Sequence, residues 1–263
     1  MTAEPSTGFD ALQSVGRVLD VLEAFGDAGE HDLGVSECAL AVGVNKSTVY
    51  RILATLEQRG YARQDAQTGR YALTASWWRI ARATAGAGSV IELAAAPMRA
   101  LRDKTRETVQ LAVYGGKGVA TYVNVVEGTH PVRSVSPLGM RFPATATSTG
   151  KALLAMQPDA ERDRVARKLR RYTDTTIADR RTFARHLETI RRDGYAVNRG
   201  EYRSDVCGVA IPIRGADGST IAALGFCVPR FRFETLALDA LLALLRRARA
   251  EIERGLGSPG ETP

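Results

Sequence analysis

The side chains with the clearest capacity for recognition chemistry lie between positions 45 and 51. If the apolar residues Val49 and Leu53 mark the inner stripe of a helix, Arg51 points outward and short hydroxyl side chains precede it. An outward arginine can donate two hydrogen bonds to guanine in the major groove, and short hydroxyls let the backbone approach phosphates. The pattern predicts a DNA-contacting helix whose contact residues are Asn45, Lys46, Ser47, Thr48, Tyr50 and Arg51.

The elements that must position this helix form a helix-turn-helix. Apolar residues at helical spacing predict a first helix over 15–25, and Ser36 can cap a second helix that ends at Val42. A turn at Gly43-Val44 follows, and Asn45 then caps the DNA-contacting helix. An amphipathic helix more often has an outer face that contacts only solvent. The prediction that this helix contacts DNA therefore depends on the order of the elements around it.

A hairpin completes this first domain. Two short β-rich runs at 61–64 and 70–73 flank a Gly-containing loop, and they carry Arg63 and Arg70 to where a wing contacts the DNA backbone or minor groove. The order of elements predicts a winged helix-turn-helix domain over residues 10–75. Residues 46–79 contain six basic and two acidic residues, whereas residues 1–80 carry a balance of −3, so the positive charge is local.

Composition restricts the class of protein. The 263 residues are 44% hydrophobic and 25% charged, which excludes a disordered or fibrous chain, and no apolar run approaches the ~18 residues of a membrane span. Because the N-terminus has no signal-peptide pattern, we expect a cytoplasmic protein with no membrane partner. The three cysteines and three histidines are dispersed, so the sequence predicts no disulfide, no metal site and no cofactor.

The rest of the chain alternates between strands and helices. The β-rich runs are at 108–113, 119–126, 195–199, 208–214 and 221–228. The helical segments are at 76–106, 150–156, 159–171, 180–193 and 236–252. This order predicts an α+β fold, with a linker helix over 76–88, a second domain over 89–256 and a disordered tail over 257–263. Trp77 and Trp78 are expected in a contact between copies or in the seam between domains.

Several motifs resemble, in order along the chain, the IclR family of bacterial transcriptional regulators. In the first domain they are Ser14-Val15-x-Arg17-Val18-Leu19, residues 45–53 and Gly60-Tyr61. Further along they are residues 107–112, 143–154 and 194–197 with Glu201, and 209–213. The resemblance covers nearly the whole chain. It implies a winged helix-turn-helix domain, a linker helix and a GAF-like α/β effector-binding domain, assembled as a homodimer or homotetramer.

The resemblance also implies a ligand pocket between the 138–150 loop and two strands. Its candidate residues are Met140, Thr147, Ser148, Thr149 and Gly150 from the loop, and Val206, Cys207, Gly225 and Cys227 from the strands. The chain departs from the family pattern in this region. Thr145 stands where histidine is common, Asp205 where glycine is usual and Gly208 where cysteine is usual, and Gly225 and Cys227 stand where serine is frequent.

These departures make the pocket less rich in hydroxyls and predict a moderately hydrophobic or aromatic effector, with a carboxylate, instead of a very small oxoacid. Gly150 at a helix N-terminus would offer free amides to an anion. Arg141 or Lys151 could pair with a carboxylate, and Lys151 could equally be solvated. Simple core packing is the alternative role for Cys207 and Cys227.

The function predicted from these observations is a transcriptional regulator, a repressor by preference and an activator as the alternative. Its partners would be operator DNA, a small-molecule effector and a second copy of the chain, since one recognition helix buries too little surface for high specificity. Ser148-Thr149-Gly150-Lys151 also fits the S-x-x-K pattern of serine hydrolases. No K-T-G segment accompanies it, so no catalytic residue is assigned. A constitutive architectural DNA-binding protein would leave the second domain without a task.

Overall fold

The computed structural model describes residues 12–28, 32–77, 80 and 85–257. The chain divides into two compact units, Met1–Ala83 and Thr84–Pro263. His31, Trp78 and residues 258–263 of the predicted tail lie outside the described residues. Within the described residues, no helix is long and apolar enough to span a membrane.

The first unit is a winged helix-turn-helix, as predicted. Its helices are α1 (Gln13–Ala28), α2 (Val35–Val42) and α3 (Lys46–Gln58). The wing is an antiparallel hairpin of β1 (Ala62–Gln64) and β2 (Tyr71–Leu73). The three helices and the hairpin share one core, whose buried members include Val21, Phe25, Cys38, Val49, Leu53 and Tyr71.

Local backbone chemistry fixes the orientation of α3. Gly43 ends α2 with a φ of 71°, a conformation that glycine adopts without strain. Asn45 then caps α3 by accepting a hydrogen bond from the Thr48 amide at 2.8 Å, as predicted. The prediction that Ser36 caps α2 is wrong, because the N-cap lies two residues earlier and Ser36 is inside the helix. Its N-cap is Gly34, whose amide donates to Glu37 Oε2 at 3.0 Å.

Two contacts place Trp77 in the first unit. Its indole Nε1 donates to the Tyr61 carbonyl oxygen at 2.9 Å, and the rings of Trp77 and Tyr61 lie 4.8 Å apart between centroids. The indole therefore closes the base of the wing.

The second unit has a six-stranded antiparallel sheet with strand order β5-β4-β3-β8-β7-β6. The strands are β3 (Thr108–Tyr114), β4 (Val119–Val126), β5 (Arg141–Pro143), β6 (Ala196–Arg199), β7 (Val206–Arg214) and β8 (Thr220–Pro229). The helices are α4 (Ala85–Thr105), α5 (Ser148–Ala155), α6 (Asp159–Ala166), α7 (Arg180–Asp193), α8 (Arg230–Phe233) and α9 (Leu238–Gly255).

Helices cover both faces of the sheet. On one face, α4 and α9 pack through residues such as Met98 and Leu245 against β3, β7 and β8. On the other face, α5 and α7 pack through Leu153 and Phe183 against the alanine-rich sides of the same strands. This arrangement is the α+β fold with a C-terminal α/β domain that the sequence predicts.

Three features of the second unit differ from the sequence prediction. The polar segment 139–149 contains the short strand β5, and the helix predicted over 159–171 ends at Ala166. The helix α8 was not predicted. Finally, α4 runs unbroken from Ala85 to Thr105, so the proposed border between residues 88 and 89 is not a helix boundary.

Candidate DNA interface and effector cavity

The predicted DNA-contacting residues of α3 are mostly exposed. Lys46, Ser47, Tyr50 and Arg51 are exposed, and Thr48 is partly exposed. Within the described residues, neither Lys46 nor Arg51 forms an ion pair, so both cations are available to an anionic partner. Asn45 and Ser47 also serve the helix itself, because the Ser47 hydroxyl donates to Asn45 Oδ1 at 3.0 Å.

The two wing arginines differ in what surrounds them. Arg63 is exposed on β1 and has no ion pair within the described residues. Arg70 donates to Asp32 Oδ1 at 2.6 Å and reaches Glu37 Oε2 at 2.9 Å. These two carboxylates hold the pKa of Arg70 above its usual value and leave the three-residue cluster with a net charge of −1. The guanidinium of Arg70 therefore ties the wing to α2, and the two carboxylates compete with DNA for it; its predicted DNA contact remains a prediction.

A cavity of about 770 Å³ lies at one end of the sheet in the second unit. Its floor is formed by Gln110 and Tyr122 from β3 and β4, by Cys227 from β8 and by Thr147 and Ser148 at the start of α5. Segment 132–137 forms one wall, which we call the 132–137 wall. A second wall, which we call the 198–206 wall, includes Asn198, Tyr202, Arg203, Asp205 and Val206. The volume is that of a site for a small organic molecule.

Most residues of the predicted pocket line this cavity. Those that do are Met140, Thr147, Ser148, Val206, Cys207 and Cys227. Thr149, Gly150 and Gly225 do not line it. A side chain at Gly150 or Gly225 would collide with Ala144 or Ala210, so these glycines allow close packing instead of contacting a ligand. The Gly150 amide is also not free, because it donates to Thr147 Oγ1 at 3.2 Å.

The sequence prediction missed one wall of the cavity and part of its floor. Residues lining the cavity that were not predicted include Gln110, Tyr122, Val132, Ser134, Ser136, Phe142, Asn198, Tyr202, Phe226 and Phe231. One signal was present in the sequence: Gln110 is a polar residue between the apolar residues Val109 and Leu111 of strand β3. A buried amide needs a partner, and its Nε2 donates to the Ser136 hydroxyl.

The 132–137 wall is anchored to the beginning of β3. The Thr108 hydroxyl donates to the Ser134 carbonyl oxygen at 2.8 Å. Arg232 Nη2 donates to the Val132 carbonyl oxygen at 2.9 Å and to Glu107 Oε2 at 3.0 Å. Because Glu107 is almost completely buried, its charge requires this partner.

The cavity combines aromatic surface with neutral polar groups. Tyr122 stacks on Phe142 with ring centroids 4.1 Å apart, and burial raises the pKa of its hydroxyl, which therefore stays protonated at neutral pH. Burial also raises the pKa of the Cys227 thiol to about 11. Two arginines line the cavity. Arg133 pairs with Glu127 at 3.0 Å, and Arg203 lies 3.7 Å from Asp205.

Neither Lys151 nor Arg141 lines the cavity. The prediction that Lys151 pairs with the carboxylate of an effector or is solvated is wrong. Lys151 is completely buried, and its Nζ donates to Glu201 Oε1 and Oε2 at 2.5 and 2.7 Å. Arg141 is an exposed residue of β5. Within the described residues, no group of three or more His, Cys, Asp or Glu side chains could hold a metal ion.

Comparisons with known proteins match both units. A family model for the IclR helix-turn-helix domain matches residues 14–66, and one for the C-terminal domain of bacterial IclR transcriptional regulators matches residues 83–254. The transcriptional regulator KdgR of Escherichia coli is 29% identical over 253 residues, covering 94% of each chain. The transcriptional repressor AllR of Klebsiella pneumoniae is 31% identical over 265 residues, covering 97% of this chain and 93% of AllR.

Solved structures show the same likeness. An IclR homolog from Microbacterium hydrocarbonoxydans, crystallised in complex with 4-hydroxybenzoate, matches with a TM-score of 0.78 and 26% identity, covering 92% of this chain and 98% of that chain. Together with the winged helix-turn-helix and the cavity of the second unit, these matches establish the family. The chain belongs to the IclR family of bacterial transcriptional regulators, with an N-terminal DNA-binding domain and a C-terminal effector domain.

Proposed function

We propose that this chain represses transcription by binding operator DNA through α3, and that an aromatic or moderately hydrophobic carboxylate in the cavity controls that binding. The observation that carries the proposal is the cavity itself, which is large enough for a substituted benzoate and is lined by Tyr122, Phe142, Phe226 and Phe231. The similarity to AllR, a repressor, supports the sign of regulation.

A carboxylate has two sources of attraction in the cavity. The Ser148 and Thr149 amides in the first turn of α5 have no partner within that helix, whereas Thr147 caps the Gly150 amide, and the helix dipole favours an anion beside Ser148. Arg203 adds a full charge, held only loosely by Asp205 at 3.7 Å. The complex of the Microbacterium hydrocarbonoxydans homolog with 4-hydroxybenzoate supports a ligand of this class for the present chain as well.

Calorimetry with four small molecules tests the ligand class. We expect the full-length chain to bind 4-hydroxybenzoate and benzoate more tightly than glyoxylate, since a very small acid leaves the aromatic surface unfilled. We expect 4-hydroxybenzyl alcohol to bind about 10- to 100-fold more weakly than 4-hydroxybenzoate, because a hydrogen bond to a charged group contributes about 1.5–3 kcal/mol. Arg203→Gln should reduce this difference. Binding of glyoxylate alone would contradict the proposal.

DNA binding is tested with Arg51→Ala. Loss of a bidentate contact to guanine costs about 1–3 kcal/mol, so the variant should lose specific binding to its promoter fragment in a footprinting assay. Effector affinity and oligomeric state should stay as in the parent chain, because Arg51 lies in the first unit and the cavity in the second. A normal footprint from this variant would show that the contact face of α3 is wrongly assigned.

We further propose that the regulator acts as a homodimer or homotetramer. Leu12, directly before α1, and Val15 and Leu19 on the exposed side of α1 are exposed apolar residues at the spacing i, i+3 and i+7. An apolar stripe of this kind suits a second copy of the chain, and two heads are needed to contact two operator half-sites. Sedimentation tests this proposal. The parent chain should sediment as a dimer or tetramer, and Val15→Glu/Leu19→Glu should sediment as a smaller species. A monomeric parent chain would contradict the proposal.

The two alternative functions make different predictions. An activator would raise the expression of a promoter–reporter fusion that a repressor lowers. For the S-x-x-K hydrolase, a lysine must be available to activate Ser148, but the Lys151 ammonium is occupied by Glu201 and by the Val197 carbonyl oxygen at 2.8 Å. Turnover of an ester that disappears in Ser148→Ala would nevertheless restore that alternative.

A further inference from the structure

The buried lysine of α5 makes an unusually complete set of contacts. Lys151 Nζ contacts both carboxylate oxygens of Glu201, donates to the Val197 carbonyl oxygen at 2.8 Å and lies 3.1 Å from His186 Nε2. Burial and the neighbouring ammonium lower the pKa of His186 to about 4, so its ring is neutral at pH 7 and its Nε2 accepts the hydrogen bond. Every proton of the ammonium therefore has an acceptor.

Glu201, the partner of Lys151, belongs to the chain segment of the 198–206 wall, and hydrogen bonds also hold its backbone. The Glu201 amide donates to Asn198 Oδ1 at 2.7 Å, and the Glu201 carbonyl oxygen accepts from the Thr176 hydroxyl at 2.6 Å. Asn198 itself lines the cavity, and so does Tyr202, the next residue after Glu201. Fixing Glu201 consequently fixes two cavity residues, one by a hydrogen bond and one through the chain.

The lysine belongs to α5, which forms part of the floor of the same cavity. Lys151 follows Thr147 and Ser148 by one helical turn, and those two residues line the cavity at the start of α5. The ion pair between Lys151 and Glu201 therefore joins the two protein segments between which a ligand would lie, although neither charged side chain lines the cavity.

We infer that Lys151 and Glu201 are positioning residues for effector binding: their ion pair sets the distance between α5 and the 198–206 wall. This inference rests on the proposed function of the cavity as the effector site. A buried ion pair is weak evidence for stability, since desolvation offsets much of the attraction and apolar residues of similar volume can replace it without loss. What apolar residues cannot reproduce is the direction of the hydrogen bonds that the three N–H groups of one ammonium make to Glu201, Val197 and His186.

The experiment is a double-mutant cycle on the full-length chain with Lys151→Met, Glu201→Met and the double variant. Each single variant leaves one buried charge without its partner, so its Tm should fall by about 10 °C. The double variant removes both charges, and its Tm should return to within about 3 °C of the parent. In the double variant, any change in the position of the 198–206 wall can therefore be measured without a large change in stability.

Two measurements on the double variant decide the inference. Hydrogen exchange of peptides covering 198–206 should be faster than in the parent chain, while exchange in α9 is unchanged. The Kd for 4-hydroxybenzoate should rise about tenfold, as expected if the wall holds its binding geometry only a tenth of the time. A double variant with parental exchange, or with faster exchange and parental Kd, would overturn the inference.

The controls separate this inference from the proposal about the ligand. Arg180→Met/Asp163→Met removes an exposed pair that joins α6 and α7 and does not line the cavity, and it should change neither exchange nor Kd. If the parent chain binds none of the acids, the ligand class is wrong, and parental exchange at 198–206 in the double variant would still refute the role of the pair. If the double variant does not fold, Glu201→Gln, which keeps one oxygen acceptor, should show faster exchange at 198–206 and a higher Kd than the parent chain, and parental values of both would overturn the inference.

Discussion

Arg63 and Arg70 lie in the same hairpin, but their replacement by alanine should change different properties of the protein. Arg63 is exposed without an ion pair within the described residues, whereas Arg70 is held by Asp32 and Glu37. A phosphate would meet no ion pair at Arg63, which has only a charge interaction with the exposed Asp65, but to bind Arg70 it would have to displace two carboxylates. We therefore expect Arg63→Ala to change DNA binding, and Arg70→Ala to change the stability of the first unit.

The magnitudes follow from exposure and charge. The Arg70 side chain is 28% exposed and its partners are about half exposed, so water screens both pairs in part, and Arg70→Ala should lower the stability of the first unit only modestly. Loss of one phosphate contact reduces the slope of log Kobs against log salt by about 0.9. For Arg63→Ala, the weakening of binding between 50 and 200 mM salt should accordingly be about threefold smaller than for the parent chain.

Fluorescence anisotropy on a labelled promoter fragment measures the salt slope, and urea unfolding measures the stability. Arg70→Ala changes the net charge of its cluster from −1 to −2, which could itself repel DNA. The charge-matched control is Arg70→Ala/Asp32→Asn, which restores −1 and should have the slope of the parent chain. A slope reduced by about 0.9 in that control, with unchanged stability, would refute the assignment of Arg70 to the wing–α2 contact.

Three further predictions follow from individual contacts. The pKa of His186 is about 4 in the folded chain against an ordinary value of 6.5, so folding favours the neutral ring. Its contribution to the free energy of unfolding should be fully present above pH 6.5 and fall by about 1–2 kcal/mol as the pH drops toward 4, allowing for partial exposure of the ring. Urea unfolding of His186→Gln should lack this loss. A Cβ at Gly208 would lie 2.6 Å from the Phe226 carbonyl oxygen and 2.8 Å from Ser148 Oγ, so Gly208→Val should cost about 1–3 kcal/mol and weaken 4-hydroxybenzoate binding in calorimetry. Asn45→Ala removes the cap of α3 and should lower stability by about 1 kcal/mol in urea unfolding, with an unchanged unfolding midpoint as the contradicting result.

The elements that periodicity predicts are those whose own residues decide their conformation. The bounds of β4 and α7 agree with the sequence prediction, because alternating or helical apolar residues run along their whole length. The strand β5 has three residues and exists because β4 offers it an edge, with Ala120 paired to Phe142. No local pattern of three residues distinguishes such a strand from a loop, so the sequence could not predict it.

The cavity was predicted in part for a similar reason. Residues of the 138–150 loop and of β7 and β8 were found through the resemblance to the IclR family, and most of them line the cavity. The 132–137 wall has no such motif. Its position depends on contacts such as that between Arg232 and Val132, which are 100 residues apart in sequence. Only the folded chain shows that these residues meet.

The charged residues show why residue type alone cannot assign a function in this protein. Arg51, Arg70 and Lys151 all have the charge to bind an anionic partner, and the sequence assigns two of them to DNA and one to the effector. The structure separates them by their partners: Arg51 has none within the described residues, Arg70 has two partly exposed carboxylates, and Lys151 has a buried one. A cation already neutralised by the fold contributes geometry, because moving it to an external anion would leave its carboxylate unpaired. The cations available for recognition are those for which the fold provides no carboxylate, and among the described residues of α3 these are Lys46 and Arg51.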